Sequence, residues 1–169
     1  MIQIITKAKQ TAQRLHILQK RKSGGLPYFT HLDNVARIVA QYTSDPELIA
    51  AAYLHDTIED TPYTPEELKQ AFGERVASIV LAVTKTNAGH EGYLASVNTP
   101  EALLIAGADK LDNSTDLIFV NDWSVFQYAP AEKVRQYREV ANKVHTSWLD
   151  LANRIEEKLS LIDKNINNP

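Results

Sequence analysis

Apolar residues recur every three or four positions along most of the 169-residue chain, and this spacing is typical of amphipathic α-helices. The clearest example begins at Ala131, where either one long helix or two helices broken near Thr146-Ser147 are predicted. No stretch alternates apolar and polar residues for long enough to predict a β-strand. The pattern therefore predicts an all-α protein, a helical bundle in one domain over residues 1–164 with a frayed tail at 165–169.

Capping residues followed by proline predict where several helices begin. Such pairs occur at Asp45-Pro46, Thr64-Pro65 and Thr99-Pro100. The first should open a helix that continues to about Glu59, and the last a helix that continues to about Leu117. Thr30 is predicted to cap a further helix, and the unpatterned stretch from Lys85 to Pro100 is predicted to be a loop.

Composition excludes several classes of protein. The chain has no cysteine, so it can form neither a disulfide scaffold nor a thiolate zinc site, and a reducing cytoplasm is the expected location. It contains no apolar run of the roughly 18 residues that a membrane span requires, and no signal peptide is expected. The net charge of −3 argues against a nucleic-acid partner. We expect a soluble cytoplasmic protein without a membrane partner.

One stretch concentrates groups that bind metals or transfer protons. His55, Asp56, Glu59 and Asp60 lie within six positions, and on a continuous helix His55 would share a face with Glu59, and Asp56 with Asp60. Imidazole nitrogen and carboxylate oxygen are favoured ligands of divalent transition metals. A carboxylate one turn beyond such ligands can reach a metal-bound water as a general base. The stretch predicts a metal-dependent catalytic site.

Two further residues are candidates to complete the metal site. His31 lies near the start of a predicted helix, and Asp109 lies within a largely apolar one. A buried carboxylate needs a partner, and a metal would be one. Each residue also has a structural interpretation, because His31 could be a hydrogen-bonded histidine and Asp109 could be held by a salt bridge.

Three motifs occur in a recognisable order. Pro27-Tyr28-x-x-His31, His55-Asp56-Thr57-Ile58-Glu59-Asp60-Thr61 and Ala108-Asp109-Lys110-Leu111-Asp112-Asn113 together resemble the HD-domain metal-dependent phosphohydrolases. More narrowly, they resemble the RelA/SpoT-type alarmone hydrolases, in particular the small single-domain members of that group. The resemblance extends from about residue 7 to about 150 and implies the HD-type helical bundle.

The resemblance also implies a chemistry and a set of site residues. It implies hydrolysis of the 3′-pyrophosphate of guanosine tetra- or pentaphosphate, a small nucleotide substrate, to GDP or GTP and pyrophosphate. The implied cofactor is Mn2+, or another divalent transition metal. Its ligands would be His31, His55, Asp56 and Asp109. Glu59 and Asp60 would position and deprotonate the attacking water.

For the substrate, the resemblance suggests that Arg21, Lys22 and Ser23 contact the base and phosphates, and that Asn113 contacts the ribose or 3′-phosphate side. Arginine can stack on a purine and bind phosphate through two nitrogens. Arg21 could equally be a basic residue at the C-terminal end of the first helix. The chain departs from its relatives in having no lysine or arginine between Lys85 and Lys110.

The sequence leaves two alternatives open. A pocket with less positive charge could take another nucleotide, such as NADPH, in an HD-domain phosphatase reaction. The chain could also be a non-catalytic module that binds a metal or nucleotide. Retention of Glu59 and Asp60 favours an enzyme, because a binding module needs no water-activating carboxylate. The sequence does not indicate the oligomeric state.

Overall fold

A computed structural model describes residues 2–22, 24–120 and 129–167. The helices are α1 (Ile2–Leu15), α2 (Phe29–Val39), α3 (Pro46–Leu54), α4 (Thr57–Asp60), α5 (Pro65–Phe72), α6 (Glu74–Val83), α7 (Gly89–Ser96), α8 (Pro100–Leu117), α9 (Pro130–Val144) and α10 (Leu149–Asn167). These ranges contain no β-strand, and the isolated bridge between Lys20 and Pro27 lies outside any strand. The prediction of an all-α fold is confirmed.

Helix α8 lies at the centre of the structure and packs against α2, α6, α9 and α10. A Cβ atom at Gly107 would lie 2.7 Å from Leu151 Cδ2, so glycine allows the close approach of α10. Most of α8 is buried, including the charged residues Asp109, Lys110 and Asp112. Because buried charges are costly without partners, these residues mark α8 as the wall of a site.

The predicted capping residues explain where three helices begin. Asp45 accepts a hydrogen bond from the Glu47 amide at the start of α3, Thr64 forms a capping box at α5, and Thr99 accepts from the Ala102 amide at α8. The prediction for Thr30 is wrong. Helix α2 already begins at Phe29, and the Thr30 hydroxyl instead donates to the Pro27 carbonyl oxygen at 2.8 Å.

The predicted helix from Pro46 to Glu59 is interrupted in the structure. Helix α3 ends at Leu54, and α4 begins at Thr57. Asp56, between them, has φ −97° and ψ 0°, which is the sparsely populated bridge region of backbone conformation. The Thr57 hydroxyl donates to the Leu54 carbonyl oxygen at 2.5 Å and so satisfies a carbonyl at the end of α3. A side-chain hydrogen bond of this kind competes with the helical ladder.

The segment predicted as a loop between Lys85 and Pro100 contains α7, so this prediction is wrong for Gly89–Ser96. The final segment forms two helices, α9 and α10, in agreement with the predicted break near Thr146-Ser147. Helix α10 extends to Asn167, into the predicted tail, while residues 168–169 lie outside the described residues. None of the described helices has the length and apolar character needed to cross a membrane.

Candidate active site

The break between α3 and α4 fixes the orientation of His55. Its Nδ1 lies 2.9 Å from the Ala52 carbonyl oxygen, and because a carbonyl only accepts hydrogen bonds, Nδ1 must carry the proton. In the neutral imidazole the opposite nitrogen, Nε2, is then unprotonated. It is buried, and the polar atom that faces it is Asp56 Oδ2 at 3.0 Å, which is also an acceptor. A metal ion would satisfy both acceptors.

The donor atoms of three predicted ligands, including this nitrogen, lie close together. One donor atom each from His31, His55 and Asp56 lies within 4.8 Å of the other two. Asp56 Oδ2 is 3.0 Å from His55 Nε2 and 3.6 Å from His31 Nε2. At metal–ligand distances of about 2.1 Å, neighbouring donors of an octahedral ion lie about 3 Å apart. The donor types and their spacing fit a divalent transition metal.

Asp109 lies beside this group but is also bound by its own helix. Its Oδ1 is 3.3 Å from His31 Nε2, while its carboxylate accepts hydrogen bonds from Lys110 and Asn113. Burial opposes ionisation of Asp109, but the Lys110 ammonium outweighs it and holds the pKa of Asp109 far below its usual value. Asp109 does not belong to the three-residue donor group, and its role as a fourth ligand stays a prediction.

The structure reveals Asp112 as a site residue that sequence reasoning missed. Its Oδ2 lies 2.7 Å from His31 Nδ1 and 2.5 Å from Arg21 Nη1, and its Oδ1 accepts from Asn34 at 2.8 Å. Burial alone would raise the pKa of Asp112, but the hydrogen bond from His31 and the Arg21 guanidinium keep it lowered. A carboxylate that accepts from Nδ1 leaves Nε2 free for a metal and makes it a better donor.

We expect Asp112→Asn to weaken metal binding by about 10- to 100-fold, the usual effect of removing a carboxylate behind a metal-binding histidine. The measurement is metal titration of the purified variant. Asp116→Asn is the matched control, because Asp116 pairs with the same arginine at 2.5 Å and is not among the carboxylates that contact His31. Equal affinities in the two variants would contradict the positioning role of Asp112.

The residues predicted to contact the nucleotide differ in their surroundings. The Arg21 guanidinium is buried and bound to Asp112, Asp116 and Asn113, all on α8. Asn113 also donates to Asp109, which brings it next to the metal group. Lys22 is exposed, and Ser23 lies outside the described residues. Arg21 therefore links the chain after α1 to the central helix, and its contact with a nucleotide stays a prediction.

Glu59 and Asp60 have different environments. The Glu59 carboxylate accepts from the Lys85 backbone amide at 3.1 Å and from Lys85 Nζ at 3.0 Å. Asp60 makes no such ion pair among the described residues. Although its surface is partly exposed to solvent, desolvation of its carboxyl group together with the negative charges of Asp56 and Glu59 raises its pKa to about 6. A carboxyl group with a raised pKa beside a donor group for a metal is suited to proton transfer at neutral pH.

A second residue missed from the sequence, His16, helps to fix this end of the site. It is buried, stacks on Tyr28 with ring centroids 5.3 Å apart, and its Nδ1 lies 2.6 Å from Gln19 Oε1. Gln19 in turn donates to the Asp60 carbonyl oxygen at 2.8 Å, and the Tyr28 hydroxyl donates to Asp56 Oδ2 at 2.6 Å. These bonds tie the end of α1 to the α3–α4 break.

The segment between Lys85 and Lys110 has no lysine or arginine, but these two bounding lysines and a third, Lys133, lie close together in the structure. The ammonium of Lys110 lies 5.3 Å from the ring centroid of Tyr93 and 5.2 Å from that of Tyr137. Lys85 contacts the first ring and Lys133, on α9, the second. Burial and the charges of Lys110 and Lys85 lower the pKa of Lys133 to about 8. We call Lys85, Lys110 and Lys133 the lysine cluster.

The lysine cluster supplies positive charge although the segment between Lys85 and Lys110 contains no basic residue. The expected positive charge is supplied by the two lysines that bound the segment and by one from a distant helix. His90, inside the segment, lies 2.7 Å from Glu139 Oε2 on α9 and so ties α7 to α9. Two of the three cations already have a carboxylate partner, because Lys110 pairs with Asp109 and Lys85 with Glu59.

The fold, the donor group and its carboxylates define an HD-type metal centre. A family model of the HD domain matches residues 8–156, which is most of the chain, and the chain therefore belongs to the HD-domain family. HD-domain hydrolases are metal-dependent, and the His31–His55–Asp56 group is compatible with metal binding.

The chain is similar to curated and solved members of this family. It is 38% identical over 160 residues to the guanosine-3′,5′-bis(diphosphate) 3′-pyrophosphohydrolase of Danio rerio, covering 88% of this chain and 86% of that protein. It is 44% identical over 119 residues to the enzyme of the same name from Aquifex aeolicus. The solved structure of a metazoan orthologue of SpoT that hydrolyses ppGpp superposes with a TM-score of 0.84 at 26% identity, covering 93% and 94% of the two chains.

The bacterial relatives are much longer than this chain. The chain spans 17% of the Aquifex aeolicus protein, 14% of a GTP pyrophosphokinase of Streptomyces coelicolor and 18% of a probable GTP pyrophosphokinase of Mycobacterium leprae. The Danio rerio relative has nearly the length of the matched region. The predicted resemblance to the small single-domain members of the group is thereby confirmed.

Proposed function

We propose that this chain hydrolyses the 3′-diphosphate of guanosine-3′,5′-bis(diphosphate) or its pentaphosphate, with Mn2+ as the metal, in the cytoplasm where nucleotides are found. The observation that carries the proposal is the group of His31, His55 and Asp56 beside Asp60, a carboxyl group with a raised pKa. The relatives in Danio rerio and Aquifex aeolicus bear the name of this activity.

In the proposed reaction, water attacks the phosphorus atom bonded to the ribose 3′-oxygen. A bound divalent cation would lower the pKa of that water and neutralise charge on the phosphoryl group. His31, His55 and Asp56 would hold the cation, with Asp109 as the fourth ligand. Asp60 takes the proton as the new phosphorus–oxygen bond forms. The bond to the 3′-oxygen breaks, the 3′-oxygen gains a proton, and GDP or GTP and pyrophosphate leave.

The other side chains of the site would bind the substrate. The lysine cluster would face the negatively charged diphosphate groups. The ammonium of Lys110 lies over the Tyr93 ring and over the Tyr137 ring, and these contacts hold it in place. Arg21, Lys22, Ser23 and Asn113 would contact the base, ribose and 5′-phosphates. Glu59, because Lys85 holds both its oxygens, would orient the attacking water without taking its proton.

An activity panel tests the substrate. Purified protein with Mn2+ should release pyrophosphate from guanosine-3′,5′-bis(diphosphate), measured by chromatography of the nucleotide products. The panel includes NADPH and simple nucleotides, with metal-depleted protein as the control. Cleavage of NADPH with guanosine-3′,5′-bis(diphosphate) left intact would overturn the substrate assignment. Stoichiometric metal binding with no turnover of any nucleotide would instead support a binding module.

The raised pKa of Asp60 predicts the pH dependence of the reaction. The base must be ionised to accept a proton, so activity should fall as the pH decreases through the pKa of Asp60. That value is about 6, and because a bound cation favours the carboxylate, the midpoint should lie at 6 or below. The check is a profile of kcat/KM from pH 4.5 to 8 at saturating metal. An acid limb with its midpoint above pH 7 would contradict the assignment.

A further inference from the structure

The structure contains a cleft on the other side of Asp112 from His31. It has a volume of about 500 Å³ and lies between α2, α8 and α10. This volume is within the roughly 300 to 1,000 Å³ typical of small-molecule sites. The cleft shares Asp112 with the candidate active site and includes none of the three metal-donor residues. Its charged and amide-bearing walls include Asn34, Arg37, Asp112, Arg154, Glu157 and Lys158.

Two of the three cations of this cleft form no ion pair with any of the described residues. Among the described residues, Arg37 and Lys158 make neither a hydrogen bond nor an ion pair through their side chains. Arg154 donates to two neutral oxygens, Gln41 Oε1 at 3.1 Å and the Tyr42 hydroxyl at 2.9 Å. It also forms a long ion pair with Asp150, at 4.0 Å. Three positive groups from two helices therefore line one concavity.

The acids of the cleft do not balance this charge. Asp112 is already bound to the Arg21 guanidinium and to His31, so its charge is compensated from the opposite side. Glu157 is exposed and makes no ion pair with any residue in the described ranges. The cleft thus carries an excess of positive charge. Like charges that share a concavity repel one another, and this repulsion is relieved when an anion binds.

We propose that the cleft between α2, α8 and α10 binds a small anion that carries phosphate groups, up to the size of a nucleoside diphosphate. Arg37, Arg154 and Lys158 would contact the phosphate oxygens, since guanidinium and ammonium groups form strong hydrogen bonds with phosphate. Ile38 and Leu111 supply an apolar part of the lining. The Asn34 amide and the Thr115 hydroxyl offer polar contacts to the rest of the ligand.

A bound anion at this position can affect the metal centre through a chain of hydrogen bonds. Asn34 lines the cleft and donates to Asp112 Oδ1 at 2.8 Å, and the other oxygen of Asp112 accepts from His31. A ligand that draws the Asn34 amide away removes one of the bonds that hold Asp112. The cleft is therefore placed to change the orientation of His31 from outside the substrate pocket.

The test is a binding titration followed by two-dimensional NMR of the full-length 15N-labelled protein in the presence of Mg2+. Inorganic pyrophosphate and ADP are the two probes. Each should shift the backbone amide signals of Gln41, Thr115 and Lys158. Comparable affinities would assign the site to phosphate groups alone, and tighter binding of ADP would assign it to nucleotides. Shifts confined to the surroundings of His55 and Glu59 would overturn the proposal.

Charge-reversal variants on one helix supply the matched control. Lys158→Glu should weaken binding at the cleft by at least about tenfold, because a charge-assisted hydrogen bond contributes about 1.5 kcal/mol or more and 1.4 kcal/mol is a factor of ten. Lys164→Glu makes the same charge change at an exposed position of α10 that does not line the cleft. Its affinity should stay within about twofold.

Arg37→Gln gives an independent result from α2, where the same loss of affinity is expected. Equal weakening in Lys158→Glu and Lys164→Glu would reduce the effect to general electrostatic attraction and overturn the proposal. The titration measures binding at the cleft and needs no turnover. Its failure is therefore distinguishable from failure of the proposed hydrolase activity.

Discussion

Replacing His55 with asparagine is expected to abolish stoichiometric metal binding and to reduce hydrolysis by about 1,000-fold or more. The asparagine amide can still donate to the Ala52 carbonyl oxygen in place of Nδ1, but no atom replaces the metal-facing Nε2. A metal supplies several kcal/mol of transition-state stabilisation, and each 1.36 kcal/mol is a factor of ten in rate. Metal content after dialysis and the hydrolysis rate are the two measurements.

His145→Asn is the matched control for this variant. His145 is exposed at the C-terminal end of α9, so both metal content and rate should equal those of the unmodified protein. Circular dichroism establishes that each variant is folded. A folded His55→Asn protein that keeps one tightly bound metal ion would remove His55 from the set of ligands.

Asp60→Asn is expected to lower kcat by about 100- to 10,000-fold, the usual contribution of a general base, while leaving metal affinity nearly unchanged. Asparagine has almost the same shape but cannot accept the proton from water. Glu59→Gln is the comparison, and its loss of rate should be smaller. The carboxylate of Glu59 is held by the amide and ammonium of Lys85, so its proposed role is orientation.

Single-turnover rates at saturating Mn2+ separate the two carboxylates, because they exclude differences in product release. A larger loss in Glu59→Gln than in Asp60→Asn would exchange the two roles. The acid limb of the pH profile gives an independent check, since it should disappear in Asp60→Asn and persist in Glu59→Gln.

Local signals in the sequence predicted much of the fold. The caps at Asp45, Thr64 and Thr99 act over three residues and do not depend on tertiary structure, and the apolar spacing of α9 and α10 reports their buried faces directly. The helix over Gly89–Ser96 was missed because two glycines within it weaken the local preference for helix. The contact between His90 and Glu139 on α9 lies outside the reach of any local pattern.

The candidate site could be predicted only as far as its motifs reach. His31, His55 and Asp56 converge in the structure, yet the predicted helix is broken at His55 and Asp56, which lie between α3 and α4. The Thr57 hydroxyl and the His55 ring bond to carbonyls at the end of α3. Asp112 lies within the motif that runs from Ala108 to Asn113, but only its distance to His31 shows its role. The one available signal in the sequence was that Asp112 is a further charged residue, after Asp109 and Lys110, in a largely apolar helix.

The lysine cluster could not be predicted from spacing along the chain. Lys85, Lys110 and Lys133 are separated by more than twenty residues each and meet only because α6, α8 and α9 end or pass near the same two tyrosines. A count of basic residues within the segment 86–109 therefore suggested a pocket poor in positive charge. The three-dimensional arrangement instead places three lysines around Tyr93 and Tyr137.

The proton positions of the two site histidines have a consequence for how the protein matures. The Nδ1 atoms of His55 and His31 are bound to the Ala52 carbonyl oxygen and to Asp112, so protein groups alone orient both rings. We therefore expect the protein to fold before a metal binds, unlike zinc fingers, where the metal supplies the folding free energy. Metal-depleted protein should then keep its helical fold and become active when metal is added.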